Sequence, residues 1–163
     1  MKSFENIKYC IVATVVMLIF TACNMDTPYS HYETMPMDGW EKNDTVTFDV
    51  PPIVRPGFYA TTLGMRVHGS FPFKSITIVV EQTVFPSKKS GKIEVDRDTV
   101  NMRLTDNDGT MTGNGSNLYQ YDMELGLNPN LKPGDSIHYA VRHIMKRSIL
   151  PGVSDLGLTL RRK

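Results

Sequence analysis

From Thr45 onward the chain keeps returning to a period of two, and that period limits what it can fold into. Val46, Phe48 and Val50 fall on one side of an extended segment, with Thr45, Thr47 and Asp49 on the other. A strand with one face in a core and one in water reads this way. Pro51-Pro52 ends it, because proline cannot donate to a ladder, and Arg55-Pro56-Gly57 turns the chain. Phe58 to His68 predicts a second strand, with Gly64 as the mark of a bulge. Ser75-Ile76-Thr77-Ile78-Val79-Val80 is apolar on both faces and mostly β-branched, as a central strand should be. Ile93-Glu94-Val95 predicts a short edge strand, Thr99 to Leu104 turns Val100, Met102 and Leu104 inward, and Leu118 to Leu125 brings Tyr119, Tyr121, Met123 and Leu125 to one face. Leu156, Leu158 and Leu160 form the last strand.

Residues 136–145 satisfy both periods. Ile137, Tyr139 and Val141 fit a strand, while Ile137, Ala140, Val141, Ile144 and Met145 fit a helix face. The surrounding strands favour the first. Seven or eight short strands without a clear helix predict an all-β fold, an antiparallel β-sandwich, with a jelly-roll connection as the expectation.

Ahead of this domain, Lys2 and Lys8 flank a short start, and Tyr9 to Phe20 is an apolar run of 12 residues. That makes an export signal, too short for the ~20 apolar residues of a bilayer-spanning helix. An ordinary secretory signal wants small residues at the first and third positions before the cut; Ala22 fits and Phe20 does not. Phe20-Thr21-Ala22-Cys23 resembles instead a bacterial lipobox, whose cysteine becomes the lipidated new N-terminus. The expected organisation is a lipoprotein signal peptide over 1–22, a lipid-anchored tether over 23–43 and the sandwich over 44–163. Two or three acyl chains on Cys23, at ~0.8 kcal/mol per buried methylene, give a stable anchor where one would be marginal. In the tether, Tyr29, Tyr32, Met35, Met37 and Trp40 supply more apolar surface than a free linker needs, so its second half should dock on the domain.

The chain has 18 basic and 17 acidic residues, and losing Lys2, Lys8 and Glu5 with the signal leaves it balanced. Nucleic-acid binding, which needs a basic excess or stripe, is not expected. Cys10 leaves with the signal and Cys23 carries lipid, so no thiol remains for a disulfide, a metal or a nucleophile. His138 and His143 lie five residues apart and point to opposite faces of a strand, so they cannot share a metal. Asp106-Asn107-Asp108-Gly109 reads as a tight turn, because the positions needed for calcium ligands hold Leu104 and Gly115. No spacing singles out an acid and base pair, and neither an enzyme nor a cofactor is expected. Trp40, the one tryptophan, could stack on a sugar but more simply plugs the end of a sandwich core.

Several landmarks recur in one order: Cys23, Gly39-Trp40 before Thr45-Val46-Thr47-Phe48, Phe71-Pro72-Phe73, Asp98-Thr99, the loop from Asp108-Gly109 to Gly113-Asn114-Gly115, and Leu150-Pro151-Gly152-Val153 followed by Asp155-Leu156-Gly157-Leu158. Together they resemble the gliding-motility lipoproteins of type H (GldH) of Bacteroidetes, from the lipobox almost to the last residue. The resemblance implies an envelope lipoprotein needed for surface gliding in some members, without a known catalytic activity. A protein partner in the envelope is expected with it, and an outer-membrane location facing the periplasm, since Asn24-Met25-Asp26-Thr27 lacks the acidic run that resembles a surface-export signal in these bacteria. A surface glycan-binding module is the runner-up, and a row of exposed aromatics on one sheet face would favour it; a hydrolase comes third. Phe71, Phe73, Leu150, Pro151, Gly152 and Val153 are the candidate partner surface, unless they fold inward to cap the core. Asp44-Thr45-Val46, Asp98-Thr99-Val100 and Asp135-Ser136-Ile137 each resemble the acceptor for O-glycosylation of exported Bacteroidetes proteins, which makes Thr45, Thr99 and Ser136 candidate sites. The plainer reading of each triplet is a turn aspartate before a strand.

Overall fold

The structure, a computed structural model, describes residues 27–163. The signal peptide and Cys23 lie outside the described residues. The strands are β1 (Tyr29–Thr34), β2 (Trp40–Glu41), β3 (Val46–Val50), β4 (Gly57–His68), β5 (Ser75–Phe85), β6 (Glu94–Arg103), β7 (Asn114–Gly115), β8 (Leu118–Glu124), β9 (Asn130–Leu131), β10 (Ser136–His143), β11 (Ile149–Leu150) and β12 (Val153–Arg162). One sheet runs β1-β12-β4-β8-β7 with β9 also on β4, the other runs β3-β10-β5-β6, and β2 with β11 forms a separate two-stranded patch. All pairs are antiparallel.

The pairing follows a rule. Each early long strand pairs with its mirror image in chain order: β1 with β12, β3 with β10, β4 with β8 and β5 with β6. One long hairpin wrapped into two sheets has this connectivity, and it is a jelly roll. The core lies between the sheets, with Phe48, Tyr59, Leu63, Met65, Ile76, Ile78, Tyr139, Val141, Leu156 and Leu158 all buried. Residues 136–143 are a strand inside the second sheet, flanked by β3 and β5, so burial on one face settled the ambiguous period. A buried polar cluster joins the sheets: the Tyr139 hydroxyl donates to Gln82 Oε1 at 3.0 Å and lies 2.9 Å from Thr61 Oγ1. Burial pushes the Tyr139 hydroxyl far above its ordinary range.

Three expectations change. Ile93 to Leu104 is not a short edge strand and a second one, because β6 is continuous over ten residues along β5. Gly64 makes no bulge: β4 runs in unbroken register past it, and the irregularity falls in β12 between Val153 and Asp155. The sandwich also begins before residue 44, since β1 is hydrogen-bonded along the whole of Tyr29–Thr34 to β12. Polar residues on both faces of β1 hid its period. Tyr29 packs on the core and His31 meets the Phe48 ring edge-on, whereas Tyr32 faces outward.

Candidate functional site

Gly39-Trp40, Phe71-Pro72-Phe73 and Leu150-Pro151-Gly152-Val153, scattered in sequence, converge on one end of the sandwich. β1 delivers the chain to this end, and Met35 N–H donates to Ser154 O at 2.8 Å as it crosses over. A turn at Gly39 (φ +116°) then sets Trp40 opposite Leu150 in the β2–β11 pair. A Cβ at Gly39 would stand 2.7 Å from Leu150 O, so backbone approach and dihedral both require glycine. Gly152, at φ +83°, turns the chain beneath Phe71, and His68 N–H donates to its carbonyl at 2.8 Å. The Phe71 and Phe73 rings meet edge-on at 5.6 Å.

These residues are brought together, but most face inward. Leu150, Val153 and Phe71 are buried, and Phe73, Pro151 and Gly152 are half-buried. The expected partner surface is therefore largely a core cap, because the apolar ends of two sheets have to be closed and these side chains close them. The outer side of the cap carries Met37, Ile144 and Ile149, which are exposed. Beside it runs a groove of about 370 Å³ whose lining includes Glu33, Trp40, Asp44 and Thr47.

Trp40 is fully buried, as the plug reading requires, and its indole N–H donates to Asp44 O at 3.1 Å. His143 packs edge-on against it at 5.1 Å, and its Nε2 lies 3.2 Å from the Trp40 carbonyl. A carbonyl only accepts, so Nε2 carries the proton and Nδ1, which has no protein partner, is the bare acceptor of a neutral ring. Burial lowers the His143 pKa, with Lys42 acting in the same direction and the Trp40 carbonyl against it. His138 points the other way, with Nδ1 2.7 Å from Asp49 on the exposed face. The two histidines do not meet.

The remaining polar candidates hold turns. Among the described residues no three His, Cys, Asp or Glu side chains gather as a metal would require. Thr110 N–H donates to both Asp106 and Asp108 at 2.9 Å, and contact with the Asp106 carboxyl, then with Thr110, holds Asp108 down at about 2. Asp135 is drawn upward by burial, but amide donation from Ser87 at 2.9 Å and Lys132 at 2.8 Å outweighs this and leaves it below its ordinary value. Asp98 accepts from Gly126 N–H at 2.7 Å. Of the glycosylation candidates, Thr45 and Thr99 are exposed, while Ser136 is half-buried in β10 opposite Phe85. The exposed aromatics Phe58 and Phe85 sit on strands of different sheets, so they make no aromatic row.

A second arrangement was missed in the sequence. Tyr32 of β1 sits level with Gly157 and Gly64 in one cross-strand row, and its side chain covers both: a Cβ on Gly157 would run into the ring carbons, and one on Gly64 into the hydroxyl. The Arg66 guanidinium stands 4.4 Å from the ring centroid, and Gln120 Nε2 donates to the Tyr32 hydroxyl at 2.8 Å. The Thr34 hydroxyl adds a bond to Asp155 at 3.1 Å. This network fastens the first strand to the sheet. Two glycines on the outward faces of otherwise apolar-cored strands were the available signal, since a missing side chain inside a strand marks close approach by a neighbour.

Fold and site together define a jelly-roll sandwich in which three of the sequence landmarks close one end of the core. The family model of the GldH lipoproteins matches residues 27–160, and the chain belongs to that family. It is 25% identical over 167 residues to the gliding motility lipoprotein GldH of Flavobacterium johnsoniae, covering 97% of this chain and 99% of that protein. Among solved structures, a protein of Sulfurospirillum deleyianum aligns over 83% of this chain and 98% of its own, with 14% identity and a TM-score of 0.44. The CBM22-2 xylan-binding domain of Paenibacillus barcinonensis Xyn10C aligns over 82% and 88%, with 7% identity and a TM-score of 0.41.

Proposed function

We propose that this gliding-motility-type lipoprotein is anchored through acylated Cys23 to the outer membrane, faces the periplasm, and serves as a non-catalytic scaffold that contacts another envelope protein. The observation that carries the reading is the family match over nearly the whole described domain, residues 27–160. The buried ionisable groups agree with it, because Asp135, Tyr139 and His143 are each engaged in holding a turn, the two sheets or the core plug. Partner contact belongs to the capped end, where Leu150, Val153 and Phe71 hold the shape and Met37, Ile144 and Ile149 offer apolar surface. The experiment is mass spectrometry of the native protein with crosslinked co-isolation from envelopes. A diacylglyceryl or triacyl Cys23 and one recurrent envelope protein, lost in Ile149→Asp, support the reading. An unmodified N-terminus elsewhere, or a Cys23→Ser protein that still fractionates with membranes, refutes the anchor.

Glycan on Thr45 or Thr99 belongs to the same proposal, because both residues are exposed beside an aspartate, Thr45 just ahead of β3 and Thr99 within β6. Ser136, half-buried between two neighbouring strands, is the weaker acceptor of the three. A native mass equal to peptide plus lipid alone removes the modification.

A further inference from the structure

We propose that the end of the sandwich opposite the Trp40–Leu150 cap is a membrane-contacting surface for anionic phospholipid headgroups. The inference rests on the Cys23 anchor. β1 begins at Tyr29, opposite Leu160, beside the Arg161-Arg162-Lys163 terminus, and runs towards the cap. Pro28 at its start lines an apolar hollow with Pro51, Pro52, Val54 and Tyr59. Six residue steps separate Cys23 from Tyr29, a reach of at most about 20 Å. The domain is longer than that tether, since β12 with ten residues extends about 33 Å. Anchored this way, the sandwich holds the Tyr29 end at the bilayer and the cap away from it.

The chemistry of that end suits a charged bilayer. Lys88, Lys89 and Lys92 of the β5–β6 loop are exposed there, with Lys132 from the loop before β10, Arg161 and Lys163. The facing acids are Glu94, Asp49 near Tyr29, Glu124, which pairs with Lys163 at 3.3 Å, and Asp135, whose carboxylate is held by two backbone amides. The whole chain carries a net charge of only +1, so this basic density is local. Lys88, Lys92, Lys132, Ser87 and Ser90 line a cavity of about 520 Å³, large enough for a phosphate headgroup. Exposed apolar side chains stand at the same end: Phe85 and Val95 at the paired ends of β5 and β6, Ile93 just before β6, Val54 at 83% exposure, and Phe58 at 58%. Lysines mixed with exposed apolar groups are what an interfacial surface presents to lipid.

The test uses the natively lipidated protein in vesicles of phosphatidylethanolamine and phosphatidylglycerol. A fluorophore is placed on Ile93→Cys or on Met37→Cys, and nitroxide-headgroup lipid is the quencher. Quenching at position 93 should exceed that at position 37 several-fold. High salt, or Lys88→Glu with Lys89→Glu and Lys92→Glu, should bring it down to the level at position 37 with the melting temperature unchanged. Each basic side chain near an anionic surface is worth about fivefold in partitioning. Equal quenching at the two positions in vesicle-bound protein overturns the surface and leaves the anchor intact. A native protein whose Cys23 is unmodified overturns the anchor. Its own partitioning then decides the surface: preference for phosphatidylglycerol over phosphatidylcholine vesicles supports it, and no preference overturns it.

Discussion

Replacing Gly157 with alanine should loosen the first strand, and the reason is specific enough to be tested by a cycle of four proteins. Neither Gly157 nor Gly64 has a positive φ, so dihedral strain is not what requires glycine here. Space is: a Cβ on Gly157 would lie 2.4 Å from Tyr32 Cε1, and the ring must swing away. It then gives up roughly 1.5 kcal/mol of apolar burial, about 0.5 kcal/mol of cation–π contact with exposed-side Arg66 and about 1 kcal/mol for the Gln120 bond. Against this, alanine recovers up to about 1 kcal/mol over a strand glycine. The net loss is about 2 kcal/mol, or about 6 °C in melting temperature for a domain of this size. Tyr32→Ala alone should cost about 3 kcal/mol by the same terms. With the ring gone, Gly157→Ala should become neutral or stabilising. Thermal and urea unfolding followed by circular dichroism give the four values. If Gly157→Ala costs the same in both backgrounds to within about 0.5 kcal/mol, the residues are uncoupled and the ring does not explain the glycine.

Tyr139→Phe leaves the Gln82 carbonyl oxygen without its buried donor and should cost about 1–3 kcal/mol by urea unfolding, while Gln82→Leu added to it should recover part of the loss. Stability should fall as pH drops below about 6.5, because the unfolded chain then binds a proton that His143, with its depressed pKa, refuses in the folded state. His143→Gln should flatten that slope in melts taken across the range, and an unchanged slope would assign the effect elsewhere. Leu150→Asp puts a charge in the core cap and should lose about 4 kcal/mol or fail to accumulate, whereas Ile149→Asp on the exposed side should melt within about 0.5 kcal/mol of the parent. Equal losses from both would mean that Ile149 is structural too.

The strands facing the core on one side were legible because burial writes itself into the sequence at period two: Val46-Phe48-Val50, Val100-Met102-Leu104 and Leu156-Leu158-Leu160 all lie as read, with Val46 the least covered. The jelly-roll order was reached only by analogy with other short-stranded chains, since pairing between β1 and β12 bridges residues more than a hundred positions apart. Two kinds of feature were opaque. β1 is an edge strand with Tyr32 and Thr34 bonding outward, so its inward set of Tyr29, His31 and Glu33 never looked apolar. The cap residues were visible as a cluster of Leu, Pro, Gly and Val, but that composition serves a presented anchor and a core closure equally well. Only the register of Leu150 on Trp40 separates the two.

Membership of β1 in the sheet changes the mechanics of the molecule more than its fold class. A tether from Asn24 to Asn43 would let the sandwich range over about 70 Å and take any orientation. A tether ending at Tyr29 leaves about 20 Å, and the strand that follows is paired with β12 at every position and held by Tyr32, Arg66 and Gln120. With the anchor proposed at Cys23, the β1–β12 ladder would tie position at the membrane to the far end of the sandwich. In that proposal the capped end stands off from the bilayer by the length of the strands, where the proposed envelope partner would reach Met37, Ile144 and Ile149 without meeting lipid. Lengthening the segment between Cys23 and Tyr29 with a glycine-serine insert should therefore weaken partner crosslinking while leaving lipidation and melting temperature as they are. If crosslinking survives a long insert, the spacing carries no function and β1 serves stability alone.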